Sequence, residues 1–297
     1  MSIFIETIIA LHGIDGQRWL NSLPDLLANY AQLWDLEIGA PFRDLSYNYV
    51  APTWRPNGTR LVIKAGFSNG ELDAEIAALR HFEGCGMVNL LQADNENSVF
   101  LLERLIPGKS LWEMEDEKAV NILLNILPSI WKIYQGDYPF PTVKDWSKGF
   151  SRLRNRYLGE TGPFDIRLVE KAEDIFFELI ESSDEPVLLH GDLHHGNILS
   201  AERESWLAID PKGVIGEPCY EVGAFLRNPM PGLLEKENPR TLLKQRVDQI
   251  VERLGFDRQR VIGWAFSQAV LAAIWCEEDN LSCGNEFNNC AQIFESL

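Results

Sequence analysis

The sequence predicts an α+β fold of two lobes: a smaller β-rich lobe over residues 1–106 and a larger, mainly helical lobe over 107–297. Three observations predict it. Residues 43–65 and 98–106 alternate like strands, nearly all of 110–182 and the chain from about 240 onward have helical period, and Pro107-Gly108 breaks the pattern between them. Segregation of strand-like from helical stretches marks the α+β class. At 297 residues and 45% apolar content, the chain is long enough to bury a core in each lobe.

Residues 15–36 set Trp19, Leu20, Leu23, Leu26, Leu27, Tyr30, Leu33 and Trp34 at helical spacing, so one or two amphipathic helices are expected, with Pro24 near a helix start. Ser46-Tyr-Asn-Tyr-Val-Ala-Pro-Thr reads as a strand. Arg55-Pro-Asn-Gly-Thr follows with the Asn-Gly turn signal, and Leu61-Val-Ile-Lys64-Ala returns as a second strand. Glu71 to Phe82 reads as a helix, and 98–106 as a further strand. The chain carries neither an internal repeat nor a low-complexity tract.

The net charge of −17, from 27 basic and 44 acidic residues, argues against nucleic acid or an anionic membrane surface as partner and suits a cationic small molecule. No apolar stretch reaches the roughly 18–20 residues of a membrane span. The opening Met1 to His12 is briefly apolar, but it lacks a basic start and contains Glu6, unlike a signal peptide. A cytoplasmic protein is expected, as a monomer or weak dimer. The five cysteines are odd in number and form no CxxC pair. Cys276, Cys283 and Cys290 recur every seven residues, a spacing that fits one helix face. The expectation is small apolar residues in the helical core of a reduced protein, rather than a metal or redox site.

The chemistry concentrates in residues 187–199, Val-Leu-Leu-His-Gly-Asp-Leu-His-His-Gly-Asn-Ile-Leu. An apolar run leads into His190-Gly-Asp192, Asn197 follows the aspartate, and Asp210 comes later within Ile209-Asp-Pro-Lys. Phosphoryl transfer needs a carboxylate to orient a hydroxyl and two oxygen ligands for Mg²⁺ on the nucleotide phosphates, and kinase loops supply them as Asp, Asn and a later Asp. Asp192 is therefore the candidate base, with Asn197 and Asp210 as metal ligands. His190 is expected to brace the loop. His194 and His195 invite a metal reading, but adjacent side chains point apart and no carboxylate–histidine spacing supports zinc. Lys64 ends a Val-Ile-Lys strand, the position from which a kinase lysine reaches ATP phosphates, and Glu75, rather than Glu71, is expected to hold it. Ser46 and Asn48 stand where a phosphate-covering turn belongs. With no GxGxxG, that segment either cradles phosphates or forms an ordinary hairpin loop.

Beyond this, the chain resembles the aminoglycoside phosphotransferases, small-molecule kinases of the protein-kinase-like two-lobed fold, and within them the streptomycin 6-kinase or aminoglycoside/hydroxyurea resistance kinase group. The resemblance lies in His190-Gly-Asp-Leu-His-His-Gly-Asn197 with Ile209-Asp-Pro-Lys-Gly213. It extends to Trp19-Leu-Asn-Ser-Leu-Pro-Asp, Leu33-Trp-Asp-Leu, Asn48-Tyr-Val with Leu61-Val-Ile-Lys64, Leu101-Leu-Glu-Arg-Leu-Ile-Pro-Gly108 and residues 211–222. It implies transfer of the ATP γ-phosphate, with Mg²⁺, to a hydroxyl of a cationic aminocyclitol antibiotic, and adenine read by hinge backbone near Glu103 to Leu105.

Two departures stand out. Glu221 occupies a position where the family usually has aspartate, in the helix that braces the loop, and tolerance is expected. No drug-contact set matches, but Trp275 with Glu277, Glu278 and Asp279 forms an acidic cluster near the C-terminus. It either holds ammonium or guanidinium groups, helped by cation–π contact, or is a solvated acidic face. A metabolite kinase acting on a sugar or a choline-like alcohol is the alternative function, and a nucleotide-binding scaffold a third. A protein kinase is disfavoured because neither Asp-Phe-Gly nor Ala-Pro-Glu occurs.

Overall fold

A computed structural model describes residues 2–43, 45–67, 70–183 and 185–297, and the chain divides into two compact units, Met1–Gly108 and Lys109–Leu297. The first unit opens with α1 (Ser2–Leu33), two helical stretches separated by a break at Gly13, where φ is +56°. The strands are β1 (Glu37–Ile38), β2 (Asn48–Trp54), β3 (Arg60–Gly66), β4 (Leu90–Asp94) and β5 (Val99–Glu103), with α2 (Glu71–Phe82) between β3 and β4. They form one antiparallel sheet in the order β1-β2-β3-β5-β4. Alternation along β3 puts Leu61, Ile63 and Ala65 into the core built with Phe4, Ile8, Leu23 and Tyr30 of α1. Lys64, one residue out of step, is thereby turned to the other face of the sheet.

The second unit contains α3 (Asp116–Ile130), α4 (Val143–Trp146), α5 (Lys148–Arg156) and α6 (Ile166–Glu181). Two antiparallel pairs follow, β6 (Val187–Leu189) with β9 (Val214–Gly216) and β7 (Ile198–Ser200) with β8 (Trp206–Ala208). The unit ends with α7 (Pro218–Leu226), α8 (Pro239–Leu254), α9 (Arg258–Glu278) and α10 (Gly284–Glu295). A helix apolar around its circumference is stable only when it is enclosed. α9 is that helix: an unbroken run from Val261 to Ile274 is buried, and α5, α6, α7, α8 and α10 pack on it. Among the described residues, no helix is long and apolar enough to cross a membrane.

Three expectations are corrected and one strand is added. Pro24 starts no helix but lies inside α1, carried through because Leu23 and Tyr30 on either side of it are anchored in the core. The stretch 110–182 is interrupted at 131–142 and 157–165, which hold Gly136 with Pro139 and Pro141, and Gly159 with Gly162 and Pro163, residues that disfavour helix. β4 went unread because it is short, lacks clear alternation and changes register between Leu90 and Gln92. The cysteine heptad is not a helix face: α9 ends at Glu278, and Asn280 takes a left-handed φ of +55°. The reversal sets the Cα atoms of Cys276 and Cys283 5.8 Å apart, within disulfide reach, and the two sulfurs are bonded. Cys290 is buried on its own in α10.

Denatured without reductant, the protein should expose three titratable thiols, those of Cys85, Cys219 and Cys290. After reduction all five cysteines should react. Five thiols before reduction would show that the bond is absent.

Candidate active site

In the first unit, Lys64 Nζ lies 2.8 Å from both carboxylate oxygens of Glu75, with side chains only 4% and 8% exposed. The pairing follows from two periodicities. Strand alternation turns Lys64 away from the α1 core. Helical spacing in α2 puts Leu72, Glu75, Ile76 and Leu79 on one buried face and leaves Glu71 exposed. Two buried charges persist together because neither can be left alone. Elsewhere in this unit, Glu103 accepts from Asn89 N–H at 2.9 Å and Leu105 is buried beyond the end of β5. Ser46 is exposed in the turn before β2, whereas Asn48 already belongs to the strand, its Oδ1 where a Cβ at Gly66 would stand.

In the second unit, the catalytic segment leaves β6 at Leu189 and re-enters β7 at Ile198 through a short 3₁₀ turn, His195–Asn197. Its main chain is held from below by Glu221 of α7, which accepts from His190 N–H at 2.6 Å and from Gly191 N–H at 2.9 Å. Burial pushes the Glu221 carboxyl up to about 7 against the opposing effect of those two N–H groups. The substitution of glutamate for the expected aspartate therefore keeps both bonds. The His190 carbonyl accepts from Lys212 and Gly213 N–H. Its ring lies 2.7 Å from Ile209 O through Nε2, while Nδ1 accepts from Asp192 N–H at 3.2 Å. That pattern requires the neutral tautomer protonated on Nε2, and burial holds His190 neutral, its pKa lowered to about 4.

Asn197 donates from Nδ2 to Asp192 O at 2.9 Å, and its own carbonyl accepts from Ile209 N–H. The last bond continues the β7–β8 ladder and brings Asp210, at a left-handed φ of +58°, onto the loop. The Asp192 carboxylate is 31% exposed between His194 Nε2 at 3.7 Å and Arg227 Nη2 at 3.8 Å. Arg227 escaped the sequence reading. It is 6% exposed, donates to Gln268 Oε1 at 2.8 Å, and follows an apolar helix, the only local sign of its burial.

His194 and His195 do diverge: His194 Nδ1 accepts from Gly196 N–H, while the His195 ring stacks on Phe225. Among the described residues no group of three metal-ligating His, Cys, Asp or Glu side chains occurs. The oxygen donors of Asn197 and Asp210 fit Mg²⁺, which takes one or two protein groups and completes its shell with water and phosphate.

The C-terminal acidic cluster is internal in large part. Glu278 is gripped by Arg152 through two 2.8 Å bonds, and Glu277 accepts from Tyr157 Oη with Arg156 at 3.8 Å. The negative C-terminal end of α9 attracts these basic side chains of α5. It is neither a free trap nor a plainly solvated face; only Asp279 is exposed. Trp275 is half-buried, its ring edge-on to Trp146 at 5.7 Å, and Trp146 lies 2.8 Å from where a Cβ on Gly191 would stand. Trp275 is thus one ring away from the loop at Gly191.

Fold and loop define a kinase of the protein-kinase-like class. The aminoglycoside/hydroxyurea antibiotic resistance kinase profile matches residues 37–280, and the chain belongs to that family. The streptomycin 6-kinase of Streptomyces glaucescens is 31% identical over 90% of this chain and 87% of its own length. The hydroxyurea phosphotransferase of Kitasatospora aureofaciens is 30% identical over 93% and 79%. Among solved structures, choline kinase LicA from Streptococcus pneumoniae has a TM-score of 0.65 at 12% identity, covering 93% of this chain and 100% of that one. Aminoglycoside phosphotransferase APH(4)-Ia with ADP and hygromycin B gives 0.61 at 13% identity, covering 93% and 98%. At such identities the structures speak for the fold alone.

Replacing Glu221 with Ala would orphan two buried N–H groups, each costing about 1–3 kcal/mol. The urea midpoint should fall accordingly, and an unchanged midpoint would refute the clamp. The buried histidines set a pH window. His190 and His195, lowered to about 4 and about 2 by burial, stay neutral when folded and take up protons near pH 6.5 only when unfolded. Their contribution to stability is complete above about pH 6.5 and declines as pH falls from there toward 4, by on the order of 3 kcal/mol for His190. Glu221, raised to about 7, takes up a proton on the folded side over the same range and offsets about one histidine. The net fall between pH 7 and 5 should therefore be on the order of 1–2 kcal/mol, and urea midpoints that rise over that range would contradict it.

Proposed function

We propose that the chain is an ATP- and Mg²⁺-dependent O-phosphotransferase acting on a hydroxyl of an aminoglycoside, streptomycin or a close analogue. Identity near 30% over nine-tenths of the chain with streptomycin 6-kinases supports this most strongly. In this reading Asp192 accepts a hydrogen bond from the acceptor hydroxyl and receives its proton. The hydroxyl oxygen forms a bond to the γ-phosphorus as the bond to the β,γ-bridging oxygen breaks and ADP leaves. Arg227 and His194 hold the Asp192 carboxylate in position. Lys64, fixed by Glu75, answers the charge of the nucleotide phosphates, and Ser46 and Asn48 line their cover. Backbone near Glu103 and Leu105 reads the adenine.

Asn197 Oδ1 and the Asp210 carboxylate would hold Mg²⁺, which when bound neutralises the β- and γ-phosphate oxygens. Trp275 offers an aromatic face to a cationic substituent, and Asp279 an exposed carboxylate. Glu277 and Glu278 shape that rim through Tyr157, Arg156 and Arg152. The reaction would run in the cytoplasm, where ATP is supplied.

ATP consumption across streptomycin, hydroxyurea, choline and a neutral sugar tests the acceptor, with streptomycin expected to be turned over best. Turnover of choline or the sugar alone would remove the antibiotic from the reading but leave the kinase. Asp192→Ala should lose about 10²–10⁴-fold in kcat while nucleotide affinity is kept. Undiminished turnover would reject Asp192 as the base.

A further inference from the structure

His195 serves none of the loop's hydrogen bonds. It lies three residues after Asp192, is 3% exposed, and stacks on Phe225 with centroids 3.9 Å apart and planes at 17°. Among the described residues neither of its ring nitrogens has a hydrogen-bond partner. A neutral imidazole carries one donor and one acceptor, and each buried polar group left unpaired costs about 1–3 kcal/mol.

The same side chain lines a cavity of about 410 Å³, within the range of small-molecule sites. Trp112, 51% exposed, forms its rim, and the indole nitrogen stands 2.9 Å from where a Cβ on Gly196 would lie. Cavity and catalytic loop therefore share a wall.

The charges at the mouth are uneven. Glu115 at the start of α3 and Glu237 before α8 are both exposed there, with Lys236 as the one exposed cation among the lining residues. Arg246 does not offset them, because Asp116 and the carbonyl of Asn228 already take its guanidinium. What results is an aromatic face, a surplus carboxylate and a buried donor–acceptor ring. That combination suits a hydroxylated ring bearing a cationic group: the indole covers the ring face, the carboxylates pair with the cation, and the imidazole, whose nitrogens are enclosed in the cavity wall, would turn out of it to take a hydroxyl.

We propose that this cavity is an extension subsite for the part of the acceptor remote from the phosphorylated hydroxyl, an aminosugar ring carrying an ammonium group. The inference rests on the aminoglycoside reading given above and adds where a multi-ring acceptor is gripped beyond the reacting hydroxyl. Streptomycin and its isolated guanidinylated cyclitol ring, which lacks the aminosugar, are the probes. Two changes at exposed positions address the cavity: Thr241→Trp, from the first turn of α8, fills the mouth, and Glu115→Gln with Glu237→Gln removes the charge.

Apparent affinity is read as KM, or as Ki for whichever compound is not turned over. In both variants the affinity ratio of streptomycin to cyclitol should fall at least tenfold, with kcat on streptomycin much less affected. An unaltered ratio in the two variants, whether affinities drop together or not at all, would overturn the subsite and leave the acceptor assignment standing. If the unmodified enzyme turns over neither compound, the acceptor assignment fails and the subsite with it.

Discussion

Everything chemical in the second unit hangs on one buried carboxylate. Glu221 takes the N–H groups of His190 and Gly191, which no strand or helix would otherwise satisfy. With the main chain fixed there, the His190 ring spans from Asp192 N–H to Ile209 O, and Asn197 closes the circuit on Asp192 O. The N–H groups of residues 190, 191 and 192 and the carbonyls of His190 and Asp192 are thereby occupied. The Asp192 carboxylate is left partly exposed, as the proposed role of meeting an incoming hydroxyl would require.

The clamp also explains the helix beneath it. α7 carries Glu221 on one turn and Arg227 at its end, so one rigid element holds the loop's backbone with its acid and flanks the loop's carboxylate with its base. α7 in turn packs on the buried α9, whose Gln268 accepts from Arg227 and donates to Tyr220 O. The chain carries a net charge of −17. Even so, two arginines close to the catalytic segment, Arg227 and Arg246, are almost wholly enclosed, each with a carboxylate beside it. Surface charge and site charge are therefore separate properties here.

Much of this was legible in the sequence because it rests on local periodicity. The strand ending at Lys64 and the helix face carrying Glu75 each follow from a repeat of two or of about 3.6 residues. Their ion pair follows from the cost of burying either charge alone. That Asp192, Asn197 and Asp210 share one loop follows the spacing that the proposed chemistry would need. What stayed hidden depends on contacts between residues distant in sequence. Arg227 looked like an ordinary helix end, Trp146 gave no sign that it would pack on Gly191, and Glu277 and Glu278 looked free because Arg152 and Arg156 lie over a hundred residues earlier. The disulfide is hidden because seven-residue spacing reads as helical, whereas a chain reversal through the left-handed Asn280 brings the two cysteines together.

Asn197 shows why an amide rather than a carboxylate occupies its position. Its nitrogen is committed inward to Asp192 O, a partnership that two carboxylate oxygens would turn into repulsion, and only its oxygen points to what binds outside. In the metal-holding role assigned to it, that leaves one formal negative charge, on Asp210, where two carboxylates would have given two. A hard cation meets too little charge there to stay without the phosphates that complete its shell. Metal affinity at such a site would lean on the phosphates of a nucleotide, a dependence that the residue locking the loop would set through the charge it lacks.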